Sequence, residues 1–481
     1  MQTGRKRWTA FASAAAAVAA IGCGELTTDP AVGGAGDPSV ETKQSAVTEA
    51  PSRVLDPRTR FFIPEPSPGA VQEIVNLAKG RKLLDAARIT AMEATPRAVW
   101  FTDGTPADVK AAVRKTVKAA ALLHTVPVLV AYDVPFRDCA QYSAGGAVDT
   151  AAYEAWIDGF AEGIGSAQVV VILEPDGLGI IPNNHDVWGA PEWCQPTGPG
   201  ATPDDRYTQI NYAVDSIHAK AARAAVYLDG THSAWLGANE SAYRLARAGV
   251  ARAEGFFLNV SNYQLDADNQ KYGSWISSCL ALINGYAAGG QAWWMPSWGC
   301  PNQYVNNPPG SGTWVPDFSP ANVAAVDGAY ATALAGPGWI GPFTPSTHFV
   351  IDTSRSGKGP LDVTPYGAAP YNQPAGVLGV LHAGNWCNPP GAGLGLRPTA
   401  NTGVTLLDAN LWVKVPGESD GSCDIAGGAR AWDFTAYNPW AVPAATQNNF
   451  DPLWGMTDPA AGAWFNQQAL ELARNATPPL F

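Results

Sequence analysis

Short apolar runs alternate with longer stretches whose apolar positions recur at helical spacing, from about Ala98 almost to the chain's end. The runs Ala98 to Phe101, Val126 to Tyr132, Val169 to Leu173, Ala225 to Leu228, Phe256 to Val260, His348 to Asp352 and Leu406 to Val413 read as strands. Helical patterns fall at Pro106 to Leu123, Thr150 to Gly163, Tyr207 to Arg223 and Ser241 to Ala253, with a last one from about Trp464 to Arg474. Strand-then-helix order implies an α/β fold with a parallel sheet, and this many units favours a TIM-barrel-like β/α barrel over an open doubly wound sheet. Between Tyr272 and Thr347 a Trp-, Gly- and Pro-rich insertion exceeds an ordinary connection, which favours a functional wall. No internal repeat is present.

The polar residues gather where the strands end. Asp138 follows the second run and Asp176 the third; in a parallel barrel both emerge on one face. Two close carboxylates cannot both ionise freely, so one keeps its proton and can act as a general acid. Asp229 and His232 follow the next strand, Asn259 and Asn262 the one after, and Arg355 lies just beyond Asp352. Lys414, Glu418 and Asp420 follow the last. A lone aspartate at a strand end is more often the cap of the next helix. Capping does not call for Trp, His, Lys and Arg beside each carboxylate, so the set reads as a site.

Composition narrows the ligand. The net charge of -12 disfavours nucleic acid, which needs clustered Lys and Arg. With 18 Trp but only 15% charged residues, the chain suits a neutral, ring-shaped ligand such as a sugar, whose C–H faces pack on aromatic rings. Most of those tryptophans are expected in the core. No G-x-G-x-x-G follows the first strand, no G-x-S-x-G elbow occurs, and the His-bearing segments lack a close second ligand; neither cofactor nor metal is expected.

Residues 1–22 read as an export signal: Arg5, Lys6 and Arg7 precede an apolar run from Phe11 to Ile21 that is too short to span a bilayer. Residues 23–53, rich in Thr, Gly, Pro and acidic side chains, read as a disordered tether, and 54–481 as the catalytic domain. Cys23 resembles the lipid-modified cysteine of a bacterial lipoprotein, although Ala20 stands where Leu is usual, and ordinary cleavage near Ala20 is the alternative. The product is secreted or anchored at the cell surface. Six cysteines remain, enough for three disulfides with 15 possible connectivities.

Seven ordered blocks carry a resemblance: Tyr-Asp-x-Pro-x-Arg-Asp-Cys, Ile-Leu-Glu-Pro-Asp, Tyr-Leu-Asp-x-x-His-x-x-Trp-Leu-Gly, Asn-Val-Ser-Asn-Tyr, Ile-Asp-Thr-Ser-Arg, Trp-Cys-Asn and Trp-Val-Lys-x-Pro-Gly-Glu-Ser-Asp-Gly. Together they resemble glycoside hydrolase family six, the inverting cellulases. The resemblance implies a distorted β/α barrel with long active-site loops, acting on cellulose or β-1,4-glucan oligosaccharides and expected to be a monomer. It implies Asp176 as general acid and Asp138 as the neighbour that raises its pKa and helps hold the catalytic water. Tyr132 matches the residue that distorts the sugar, Ser143 a water-positioning residue, and Asp420 the base, acting directly or through a water chain. Trp100, Arg137, Asp229, His232, Trp235, Asn259, Asn262, Arg355, Trp386, Lys414 and Glu418 match sugar-binding positions. Cys139 with Cys194 and Cys387 with Cys423 resemble the family's loop disulfides, leaving Cys279 with Cys300.

Cleavage mode follows from loops. The long stretch from Lys414 to Trp464 suits a roofed, exo-acting tunnel with Trp432 and Trp440 over the cleft. Ala238, standing where fungal cellobiohydrolases resembling this chain carry a distal Trp, is expected to leave a smooth gap there, and the Ile-Asp-Thr-Ser-Arg and Pro-Gly-Glu-Ser-Asp-Gly blocks resemble the bacterial endoglucanase branch; both favour an endoglucanase. A non-catalytic glucan-binding protein and a retaining glycosidase on a similar barrel are the rivals.

Overall fold

The computed structural model describes residues 55–481 except 293, 294, 308–312 and 339. The export signal, the tether and Cys23 lie outside the described residues. In chain order the elements are α1 (Pro68–Lys79), α2 (Leu83–Glu93), β1 (Val99–Phe101), α3 (Pro106–Leu122), β2 (Val128–Ala131), α4 (Thr150–Ile164) and β3 (Val169–Leu173). They continue with α5 (Pro203–Lys220), β4 (Ala224–Asp229), α6 (Ala238–Arg247), β5 (Gly255–Leu258), α7 (Asp266–Ala288) and α8 (Met295–Gly299). After the hairpin β6 (Tyr304–Asn306) and β7 (Trp314–Pro316) come α9 (Pro320–Ala335), β8 (His348–Asp352), α10 (Ala375–Ala383), β9 (Leu407–Leu411) and α11 (Asn466–Arg474).

Seven parallel strands run in the order β1-β2-β3-β4-β5-β8-β9 and curl into a distorted barrel. No ladder joins β1 to β9 among the described residues; Ala98 N–H donates to the Trp412 carbonyl (2.8 Å) and Trp100 Nε1 to that of Val413 (2.8 Å) across the seam. The central strands are buried on both faces, as a parallel sheet covered by helices requires. Along β3 the side chains alternate accordingly: Val169, Val171 and Leu173 pack towards the helices, Val170 and Ile172 into the barrel interior.

Helix starts are written in the sequence. Thr105 and Asp108 form a capping box with Pro106 in the first turn of α3, and Thr202 and Asp205 do the same for α5. The second box starts α5 before the expected Tyr207. The expected helix to Ala253 stops instead at Arg247, because Gly249 takes a left-handed φ of 80° and only a single 3-10 turn follows. The expected insertion also begins later than read: Tyr272 lies inside α7, which is 23 residues long.

Register positions the site. Phe101 pairs with Ala131, Ala131 with Leu173, and Leu173 with Leu228, so the residues after β1 to β4 reach one rim together. All three disulfides form as expected: Cys139–Cys194, Cys279–Cys300 and Cys387–Cys423.

Candidate active site

Left-handed non-glycine residues crowd that rim: Phe136, Asp138, Cys139, Glu174, Asp176, Thr231, Asn259 and Ser261 all have positive φ. Each costs on the order of 1 kcal/mol or more and persists only where surrounding bonds over-determine it. Buried polar side chains supply those bonds. Glu174 accepts from the backbone N–H of Asp133 and Val134, stapling the end of β3 to that of β2. Asp229 accepts from Leu178 (3.1 Å), Gly179 (2.9 Å) and Thr231 (2.8 Å), and so sets the turn that carries Asp176. Asp352 accepts from Ser261, Ser354, Val413 and Lys414. In the loop after Asp138, Gly146 (φ 97°) is obligatory, since a Cβ would sit 2.0 Å from the Val134 carbonyl oxygen.

Above these staples lies a cleft of about 840 Å³. Asp176, Asp138, Asp420, Tyr132 and Ser143 line it, with Trp100, Arg137, His232, Trp235, Asn262, Trp386, Lys414 and Glu418. Asp229, Asn259 and Arg355 do not. They stand behind the wall: Asn259 bonds Gln264 and the Asp352 carbonyl, and Arg355 binds both oxygens of Asp420 at 2.9 Å. Arg137 touches the cleft but donates to the backbone carbonyls of Thr102, Tyr132 and Ser143.

The acids divide into two kinds. Asp176 has its carboxyl pushed well above the ordinary range by burial first, then by Asp229, Asp138 and Asp420; Lys414 opposes them weakly. Burial also lifts Asp138 to about 6, against the Ser143 N–H bond (2.7 Å) and Arg137. Asp420 goes the other way. Burial works against its charge, but Arg355, Lys414 (3.5 Å), the Asn388 N–H (3.0 Å) and the Tyr263 hydroxyl (2.9 Å) outweigh it and hold it below the ordinary range. His232 is pushed down to about 3 by burial; its Nδ1 accepts from Ala234 N–H (3.2 Å), which leaves the proton on Nε2 as a donor.

Residues 57–476 match the family model described as Glycosyl hydrolases family 6. The chain belongs to that family. It is 30% identical over 393 residues to Endoglucanase A of Cellulomonas fimi, covering 82% of this chain and 57% of that protein. It is also 30% identical over 376 residues to the 1,4-beta-D-glucan cellobiohydrolase CEL6A of Pyricularia oryzae, covering 73% and 58%. The chain thus spans little more than half the length of these two family 6 relatives. The solved endoglucanase Cel6 of Mycobacterium tuberculosis, in complex with methyl-cellobiosyl-4-deoxy-4-thio-beta-D-cellobioside, superposes with a TM-score of 0.55 at 28% identity, covering 88% of this chain and 99% of that one.

Two expectations about the family 6 cleft are corrected. Trp432 and Trp440 do not roof it: with Tyr366, Tyr371, Tyr437 and Phe450 they pack on one another as a separate aromatic block, and neither lines the cleft. Ala238 leaves no open gap either. It is fully buried, its N–H donates to Gln303 Oε1 (3.2 Å), and Gln303 and Tyr304 bond the backbone of Ser233, Trp235 and Leu236, so the insertion covers this corner. Sequence reasoning passed over Gln141, Tyr142, Trp193, Gln264 and His382, which also line the cleft. The first two immediately precede Ser143 and Trp193 adjoins Cys194, so motif and disulfide neighbours were the available signal. Cys423, Asp451 and Asp458 present ligand atoms within 4.8 Å of one another, but the sulfur is bound to Cys387, so they do not make a metal site.

Proposed function

We propose that the protein is a secreted cellulase that hydrolyses β-1,4-glucosidic bonds with inversion, and that it acts as an endoglucanase. The opposed electrostatics of Asp176 and Asp420 carry this reading: one carboxyl is kept protonated by burial and like charge, the other ionised by cations and donors. Asp176 gives its proton to the leaving glycosidic oxygen as the C1–O bond breaks. A water held by Ser143 and Asp138 attacks C1 from the opposite side and passes its proton to Asp420. Oδ2 of Asp420 is filled by Tyr263, Asn388 and Arg355, so Oδ1 is the oxygen with room to receive it. Inversion needs the two carboxyls ~6.5–9.5 Å apart, with the water between. Tyr132, edge-on to Trp100 at 5.4 Å, presses the sugar out of its relaxed chair. Trp100, Trp235 and Trp386 offer ring faces to the neighbouring glucose units, and His232 Nε2–H and Lys414 offer donors. Three disulfides suit an oxidising, extracellular setting.

Endo action is supported by the endoglucanase names of the Cellulomonas fimi and Mycobacterium tuberculosis relatives and by a cleft that Trp432 and Trp440 leave uncovered. The insertion favours the second reading, a cellobiohydrolase, because Pro316 reaches the cleft and the wall over Ala238 lengthens it. Viscosity of carboxymethyl-cellulose, followed together with reducing ends, decides between them. The endo reading expects viscosity to fall well before many ends appear; steady cellobiose release with viscosity preserved overturns it.

A further inference from the structure

Asn388, the last residue of the Trp-Cys-Asn block, is fully buried, and every polar atom it has is engaged. Its N–H donates to Asp420 Oδ2 (3.0 Å), and its Oδ1 accepts from the Asp420 N–H (2.9 Å) and Gln468 Nε2 (3.1 Å). Its Nδ2 faces Ser419 Oγ (2.9 Å), the Gly421 carbonyl (3.0 Å) and Asp458 Oδ2 (3.0 Å), and its carbonyl accepts from Trp454 Nε1 (2.7 Å). One amide therefore clasps the peptide on both sides of Asp420 and ties it to the segment that carries Trp454 and Asp458.

Behind it, two buried carboxyls share one cation. Arg430 binds Asp451 through Nε (3.0 Å) and Nη2 (2.9 Å) and spends its other N–H groups on backbone carbonyls. Asp458 has no cation of its own. Its Oδ2 receives the Asn388 amide, while its buried Oδ1 meets no donor, and its carboxyl shares a hydrogen bond with that of Asp451. An uncompensated buried charge is costly, and Arg430 already belongs to Asp451, so the proton of this carboxyl pair belongs on Asp458. We propose that Asp458, as a neutral carboxylic acid, and Asn388 form a positioning pair that fixes the geometry of Asp420. Burial first and Asp451 next push Asp458 up to about 9, in accord with that geometry. The inference rests on the reading of Asp420 as the base.

Substitution separates this from a merely structural role. Asp458→Asn reproduces the neutral acid: an amide N–H for Asp451 and a carbonyl for Asn388. It is expected to hold wild-type kcat on soluble β-glucan and, because it has no proton to lose, to gain heat stability over the wild type as pH rises from about 4 towards 9. Asp458→Ala and Asn388→Ala are expected to lower kcat by up to about 10²-fold with KM little changed. They should also move the acid limb of the rate profile to higher pH, since Asp420 loses its hold on Arg355 and Lys414. If Asp458→Asn falls with the alanine variants, or if the alanine variants keep the wild-type kcat and acid limb, the positioning pair is overturned. Asp420→Ala is the control: wild-type turnover in that variant removes the base assignment itself and not the contacts of Asn388.

Discussion

The two sides of the cleft solve opposite problems with the same side chain. Asp176 and Asp138 sit among other carboxylates with few partners, and burial raises both. Asp420 is buried at least as deeply, yet four polar neighbours, two of them cations, keep it charged. Burial alone therefore does not set the state of a carboxyl; the count of donors facing it does.

The comparison breaks most sharply at Asp176. Asp176→Asn removes the proposed proton donor but little ground-state contact, so turnover on β-1,4-glucan should fall by ~10²–10⁴ while cello-oligosaccharide binding persists. Near-normal turnover would show that this side of the cleft does not hold the acid. A smaller effect is expected from Asp138. Its charge raises Asp176, so Asp138→Ala should move the alkaline limb of the rate profile to lower pH by about one unit. The sign for stability follows from Asp138's own shift. A carboxyl raised from 3.8 to about 6 on folding loses stability as pH climbs through that window. Asp138→Asn should therefore be more heat-stable than the parent at neutral pH, with the gap closing near pH 4. The smallest signal concerns His232. Its NMR ring resonances should show no titration between about pH 5 and 8, because burial holds it neutral down to about 3.

Much of this was legible in the chain. Continuous apolar runs marked the strands to within a residue or two at most ends, because parallel strands buried on both faces, such as β2 and β3, leave no polar position inside; β9, with Asp408 and Asn410, departs from this. At β5, where the run was read too long, a left-handed residue stops the strand: Asn259 ends it before Val260. Helices α1, α2, α7, α8, α9 and α10 went unread, although Ser67 and Pro68 form a recognisable start to α1 whose hydroxyl accepts from Ala70 N–H. Residue type placed the site but not the direction of each side chain. Asp229, Asn259 and Arg355 belong to the right strand ends, yet they face backbone or another carboxylate, and only the folded turn decides that. Trp432 and Trp440 failed as a roof for a similar reason: they pack on each other and on Tyr366 and Tyr371 from the segment before α10.

The unpaired seam between β1 and β9 has a consequence in time rather than space. Helices from the two ends of the chain are tied together beside it: Trp464 Nε1 donates to Glu73 (2.7 Å), and Arg474 binds Asp85, contacts 391 and 389 residues apart in sequence. On the last of these helices, Gln468 also bonds Tyr263 (3.2 Å) and Asn388, both partners of Asp420. Contacts of such separation close last, after the local strand and helix units have formed. A growing chain can thus assemble the Asp176 side of its cleft well before the final helix arrives, while Asp420 lacks its full set of neighbours until that helix is in place.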